Sequence, residues 1–181
     1  DAGGLEAIGA AVAAHAKAAN DPRLREWAGA ALANLASCPS EEVREALAEG
    51  GAPRAAVVLM GACGDDEPRT MRYCVGVWAH LGRDSDDGRE ACCRAGLVEA
   101  TVRALLATAP SGAPGAAELA EQACRAFATL AFGAPEDRAR LREAGAQRAL
   151  TLCLERFPRS PQVQEMGRAL MTELGSGAFG R

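Results

Sequence analysis

From Leu24 to Ala36 the chain sets apolar side chains at the first, fifth, eighth, ninth and twelfth places: Leu24, Ala28, Ala31, Leu32 and Leu35. At about 100° per residue these five share one face of an α-helix. The template fits three more stretches, 70–82, 119–131 and 163–175. There the same places hold Cys74, Val77, Trp78 and Leu81, then Ala123, Ala126, Phe127 and Leu130, then Gly167, Leu170, Met171 and Leu174. The twelfth place is always leucine, and Leu35, Leu81, Leu130 and Leu174 follow one another at intervals of 46, 49 and 44 residues. Trp78 stands where the other copies carry Leu32, Phe127 and Met171, so it reads as a core filler rather than a ligand-stacking ring.

A second ladder runs between these stretches. It comprises Ala2-Gly3-Gly4-Leu5-Glu6-Ala7, Gly50-Gly51-Ala52-Pro53-Arg54-Ala55, Ala95-Gly96-Leu97-Val98-Glu99-Ala100 and Ala144-Gly145-Ala146-Gln147-Arg148-Ala149. Gly3, Gly51, Gly96 and Gly145 are 48, 45 and 49 residues apart. Two ladders with one period predict a helical solenoid. Punctuation divides each unit into three helices. In the second copy a short helix starts after the N-cap Ser40 and stops at Gly50-Gly51. A second helix runs from about Ala52 to Met60, and the break Gly64-Asp65-Asp66-Glu67-Pro68 leads to a third from about Arg69 to Gly82. The third copy gives Asp86 to Arg94, Leu97 to Thr108 and Ala116 to Ala131; the fourth gives Pro135 to Ala144, Ala146 to Arg156 and Gln162 to Leu174. The expected organisation is a single domain with repeats at about 1–37 (partial, without its short helix), 38–83, 84–132 and 133–175, and a flexible tail at 176–181.

Two columns carry packing information. The second-helix column Ala7, Ala55, Ala100 and Ala149 stays small, as close approach between neighbouring helices requires. Arg44, Arg89 and Arg138 lie three places before the slot shared by Leu47, Cys92 and Leu141, and read as a solvated ridge.

Composition narrows the picture further. Of 181 residues 49% are hydrophobic and only 4% aromatic, and alanine is abundant, which suits helices and disfavours strands. The net charge of −4 offers no basic footprint for nucleic acid. No stretch approaches the roughly 20 apolar residues of a membrane span, and the amino end lacks a signal-peptide layout. The seven cysteines form no C-x-x-C pair, and most occupy places that other copies give to Leu, Val or Ala. Free, buried thiols are expected, and with them a reducing compartment, cytoplasmic or nuclear.

Catalytic constellations do not emerge. Cys74 and His80 are six residues apart on one helix, turned about 240° from each other. There is no Gly-rich phosphate loop, no G-x-S-x-G and no H-E-x-x-H. Asp84-Ser85-Asp86-Asp87-Gly88 opens like a calcium loop, but its Gly comes one place early and Glu90 follows too soon. It reads better as an acidic helix cap. The expectation is a protein that is not an enzyme and uses no cofactor or metal.

The short helix ending in Ala-Gly, the alanine-rich second helix and the A-x-x-A-L-x-N-L-A ending of the third, seen in Ala28 to Ala36, resemble the unit of armadillo repeat proteins. The resemblance covers nearly the whole chain, about three and two-thirds repeats. HEAT repeats have two helices per unit, so the glycine junction between separate first and second helices favours armadillo. What the resemblance implies is a right-handed all-α solenoid whose third helices line a concave groove for extended peptides or partner proteins. On the groove face, positions 3, 7 and 11 of the third helix are Glu26, Ala30 and Asn34; Arg72, Gly76 and His80; Glu121, Arg125 and Thr129; and Glu165, Ala169 and Glu173. Armadillo proteins that import nuclear cargo carry a tryptophan ladder in the middle column and an asparagine ladder in the last; here only Asn34 matches. Position 4, at the groove edge, holds Trp27, Tyr73, Gln122 and Met166, either an apolar shelf for a partner or packing between neighbouring third helices.

The function expected is a non-catalytic adaptor or scaffold that binds a protein or peptide of mixed or acidic charge. A regulatory armadillo segment of a larger multidomain protein and an importin-like transport receptor are the alternatives. The open ends are places for further repeats or domains to pack.

Overall fold

The computed structural model describes residues 21–83 and 85–175. The glycine junction and second helix expected for the first copy, residue Asp84 and the tail at 176–181 lie outside them. Ten helices follow in order: α1 (Pro22–Ala36), α2 (Glu41–Glu49), α3 (Ala52–Ala62), α4 (Pro68–Leu81), α5 (Asp86–Ala95), α6 (Leu97–Ser111), α7 (Ala116–Ala131), α8 (Pro135–Glu143), α9 (Ala146–Arg156) and α10 (Pro161–Gly175). No strand occurs among the described residues.

Local chemistry sets the boundaries. Hydroxyl caps accept from the third residue onward, with Ser40 Oγ 3.3 Å from Val43 N, Ser85 Oγ 3.0 Å from Gly88 N and Ser160 Oγ 3.2 Å from Val163 N. Asp21 caps α1 by accepting from Arg23 N at 2.9 Å. At the three junctions between short and second helices, Gly51, Gly96 and Gly145 turn the chain with φ of 88°, 84° and 86°, a region that strains any residue with a Cβ. Pro110 lies inside the last turn of α6, so that helix runs three residues beyond the expected Thr108.

The third helices α1, α4, α7 and α10 lie side by side, with α4 between α1 and α7 and α10 against α7. The second helices α3, α6 and α9 form a parallel row, each packed on its own third helix. Between the rows sits the core. Leu81, Leu130 and Leu174 are fully buried, as are Cys74, Val77, Ala123, Ala126 and Leu170. Trp78 fills the core as expected and meets the Phe127 ring edge-on at 5.7 Å between centroids. Ala55, Ala100 and Ala149 are buried, and so are Leu47, Cys92 and Leu141 in their shared slot.

Copy one departs from the template. Helix α1 buries Arg25, Gly29, Leu32, Ala33 and Ala36, one place onward from the predicted face; Leu35 is only half-buried and Leu24 is 45% exposed. The buried stripe is the one that faces α4, where a Cβ on Gly29 would come within 3.3 Å of Tyr73 Cβ and 3.5 Å of the Thr70 carbonyl oxygen.

The arginine column is also different from its expected role. Arg44 donates to the Cys38 and Pro39 carbonyls, Arg89 to the Gly82 carbonyl, and Arg138 to the Ala131 and Gly133 carbonyls. Each is half-buried and satisfies carbonyls at or just beyond the end of the preceding third helix, where intrahelical partners run out. The column is a repeated clamp between one unit and the next, not a solvated ridge.

Candidate binding face on the third helices

Three turns of each third helix present the non-core face, and the predicted site residues fall there with unequal exposure. At position 3, Glu26, Arg72 and Glu121 are half-buried and Glu165 is exposed; at position 11, Asn34 is exposed and His80, Thr129 and Glu173 are half-buried. In the middle column Gly76 is buried while Arg125 is exposed. A Cβ on Gly76 would touch the Gln122 side-chain amide at 3.6 Å and Ala33 Cβ at 3.7 Å, so α1, α4 and α7 converge there and the Gln122 side chain packs against Gly76.

Position 4 divides. Tyr73 and Gln122 sit in the seams between neighbouring third helices, over Gly29 and beside Gly76 respectively, and Met166 is half-buried against the core. Trp27 is 70% exposed. Three of the four positions therefore seal seams, and Trp27 alone of the column projects its ring into solvent.

The charges are distributed in a definite way. Arg72 lies over the Tyr73 ring, 4.8 Å from its centroid. Arg125 donates to Gln122 Oε1 and Gln162 Oε1, both at 3.2 Å, and so spans from α7 to α10 through neutral amides. Glu121 accepts from Ser160 Oγ at 2.8 Å, tying α7 to the start of α10. Among the described residues the ion pairs are Arg25–Glu67, Arg89–Asp86, Arg94–Glu90 and Arg140–Glu90, none of which involves Arg72, Arg83 or Arg125. Half-burial lowers the pKa of the His80 imidazole below its usual range, and the charges of Arg83 and Arg125 push it the same way.

Sequence reasoning missed the contacts that hold this face in place. Arg25 and Glu67 form a bidentate pair, Nε to Oε2 at 3.0 Å and Nη2 to Oε1 at 2.6 Å, with both side chains about nine-tenths buried. Glu67 also accepts from Gly64 N at 3.0 Å. The Asp-Asp-Glu-Pro run carried a signal for a helix break, not for a partner on α1. Gln162, like Ser160, gave no sign of reaching α7, because its position reads only as the first turn of a helix.

Burial pushes the thiols up, to about 12 at Cys63, Cys124 and Cys153, and further at Cys74 and Cys92. All seven cysteines are free. Among the described residues no group of His, Cys, Asp and Glu is arranged to hold a metal ion, and no helix is long and apolar enough to cross a membrane.

Solved structures share this arrangement of helices. A designed armadillo repeat protein shares 26% identity with this chain, at a TM-score of 0.66 over 86% of it. An engineered protein matches at 24% identity and a TM-score of 0.71 over 97% of it. The chain spans 60% and 64% of the lengths of these two. A further designed armadillo repeat protein, solved in complex with the peptide (KR)4, matches at 19% identity and a TM-score of 0.51. No protein-family model matches the chain, and no curated protein sequence does. The fold is an armadillo-like all-α solenoid.

Proposed function

We propose that this armadillo-like solenoid is a non-catalytic interaction module that holds a partner protein or extended peptide along the third-helix face. The observation that carries the proposal is the continuous row α1, α4, α7 and α10, which turns partly exposed polar side chains outward at the third and eleventh places in every copy. An extended strand runs about 3.3 Å per residue, so a peptide crossing several third helices would meet one set of these side chains after another. The engineered scaffolds with this fold, one of them bound to a peptide, support the reading. An adaptor or scaffold role follows from it, in a reducing compartment such as cytoplasm or nucleus. The exposed Trp27 would serve as an apolar anchor at one end.

The test is selection of peptides from a random displayed library on the immobilised chain, followed by mapping of amide shifts with the selected peptide. Shifts should concentrate on α1, α4, α7 and α10. Shifts confined to α2, α5 and α8 would move the site to the short helices and sink the proposal.

A further inference from the structure

We infer that Gln122 and Gln162, oriented by Arg125, hold the main chain of an extended peptide where it crosses from α7 to α10, each carboxamide nitrogen donating to one backbone carbonyl. This deepens the proposed function and rests on it.

Arg125 reaches both amides by their oxygens. Its Nη1 donates to Gln122 Oε1 and its Nη2 to Gln162 Oε1, each at 3.2 Å. A guanidinium carries donors only, so it must take the oxygen end of each carboxamide and leave the nitrogen end over. Neither nitrogen donates to another described residue. Both are open to a ligand: Gln162 is exposed, and Gln122, though half-buried, keeps its nitrogen in contact with solvent, since among the described residues only Trp78 Nε1 is a buried side-chain polar atom without a partner. Two open donors fixed on one guanidinium fork await acceptors, and they lose less side-chain entropy on binding than freely rotating glutamines.

Packing sets the place of the pair. A Cβ on Gly76 would lie 3.6 Å from Gln122 Nε2 and 3.7 Å from Ala33 Cβ, so position 7 of α4 is level with position 4 of α7 and position 10 of α1. Gln162 stands in the first turn of α10, and the Arg125 bridge ties it to Gln122 across the seam. In an extended strand carbonyls i and i+2 point the same way about 6.6 Å apart, an interval that two amides on one fork can span. The flanking charges have both signs: Arg125 between the amides, Glu121 beside Gln122 and bonded to Ser160 Oγ at 2.8 Å, and exposed Glu165 one turn along α10 from Gln162. A peptide carboxylate would meet those two carboxylates as well as the cation. A neutral backbone carbonyl is far less sensitive to that balance, so the pair selects main chain whatever side chains the peptide carries.

The probe is the tightest peptide from the displayed-library selection, fluorescein-labelled and read by anisotropy on the full chain, with a set in which single backbone amides are replaced by esters. An ester carbonyl accepts a hydrogen bond more weakly than an amide carbonyl, so two ester positions, two residues apart, should each weaken binding several-fold. Q122E/Q162E keeps the side-chain shape and still accepts from Arg125, but replaces both donors by acceptors. It should melt like the parent protein, bind the parent peptide roughly tenfold or more weakly, and lose the extra cost of the two esters. Should it melt early, Q162E alone, at an exposed place, should erase one of the two ester costs. Arg125→Met, which releases the amides, should weaken binding several-fold and blunt both ester effects. Unchanged affinity in Q122E/Q162E, or ester costs equal in variant and parent, would overturn the inference; amide shifts that stay on α1, α4, α7 and α10 would then leave the groove reading standing. A selection that yields no binder would overturn both.

Discussion

Arg25 and Glu67 are 42 residues apart in sequence, and their pair fixes how α1 sits on α4. Burial by itself would raise the Glu67 pKa, but the Arg25 hydrogen bonds, the Gly64 N–H and the Arg25 charge together outweigh it and lower the value. A carboxylate held below its usual range contributes stability that is present above that range and is lost as pH falls through the folded value. Glu67→Gln should therefore cost on the order of 3 kcal/mol near neutral pH, because it strands most of a buried guanidinium charge, and should remove part of the acid-side loss of stability. Urea titrations of both proteins at several pH values would show this, and equal stability across the range would refute it. Cysteine chemistry belongs to the same scale. With burial raising their pKa values, Cys74, Cys92, Cys124 and Cys153 should resist iodoacetamide at neutral pH until the chain unfolds, whereas half-buried Cys38 should be modified first. Mass spectrometry during urea unfolding reads the order directly. Core residues such as Trp78 and Cys92 were legible because they refill slots seen in other copies. Arg25 and Glu67 were not, because a pairing between two units that occurs once leaves no period to detect.

At the scale of elements, repetition exposed the helices and their breaks, but their mutual contacts only in part. The boundaries of α7 and α9 fall where the sequence puts them, since proline, glycine and hydroxyl caps are local signals. The clamp of Arg44, Arg89 and Arg138 was visible as a column yet not as a function, because solvated and carbonyl-bonded arginines look identical in sequence. Its geometry makes a prediction. Arg138→Ala should remove the bonds to the Ala131 and Gly133 carbonyls and destabilise by about 1 kcal/mol, while Arg138→Lys, with a single point-like donor group, should restore only part of it. Hydrogen exchange should show the loss first at the end of α7 and the start of α8; a loss spread evenly over the chain would contradict a local clamp. Gly88 is a sharper element-level constraint. A Cβ there would lie 2.1 Å from the Leu81 carbonyl oxygen, so α5 can start this close to the end of α4 only with glycine at that place.

For the molecule as a whole, neighbour contacts replace a central core, and this determines how damage spreads. The third-helix columns were legible as a surface because the same helix places recur in each copy, but the stagger of neighbouring helices and the Glu121–Ser160 and Arg125–Gln162 bonds from α7 to the start of α10 left no period to read. The same nearest-neighbour logic separates two equivalent leucines. Leu81 and Leu174 occupy the same slot, and each is only 1% exposed. Helix α4 packs on both α1 and α7, whereas α10 meets only α7 among the third helices, with Arg142 Nε bonding the Leu174 carbonyl at 2.8 Å as an added tie. Leu81→Ala should cost about 2–5 kcal/mol and lower the stability of every described unit together, since the cavity lies where two interfaces meet. Leu174→Ala opens a cavity against one neighbour, so α9 and α10 should fray below the global unfolding transition while α1 to α7 keep most of their protection. Amide exchange in the two variants distinguishes these outcomes. Uniform loss of protection in Leu174→Ala would mean that the units unfold as one block, and the nearest-neighbour account of this solenoid would then fail.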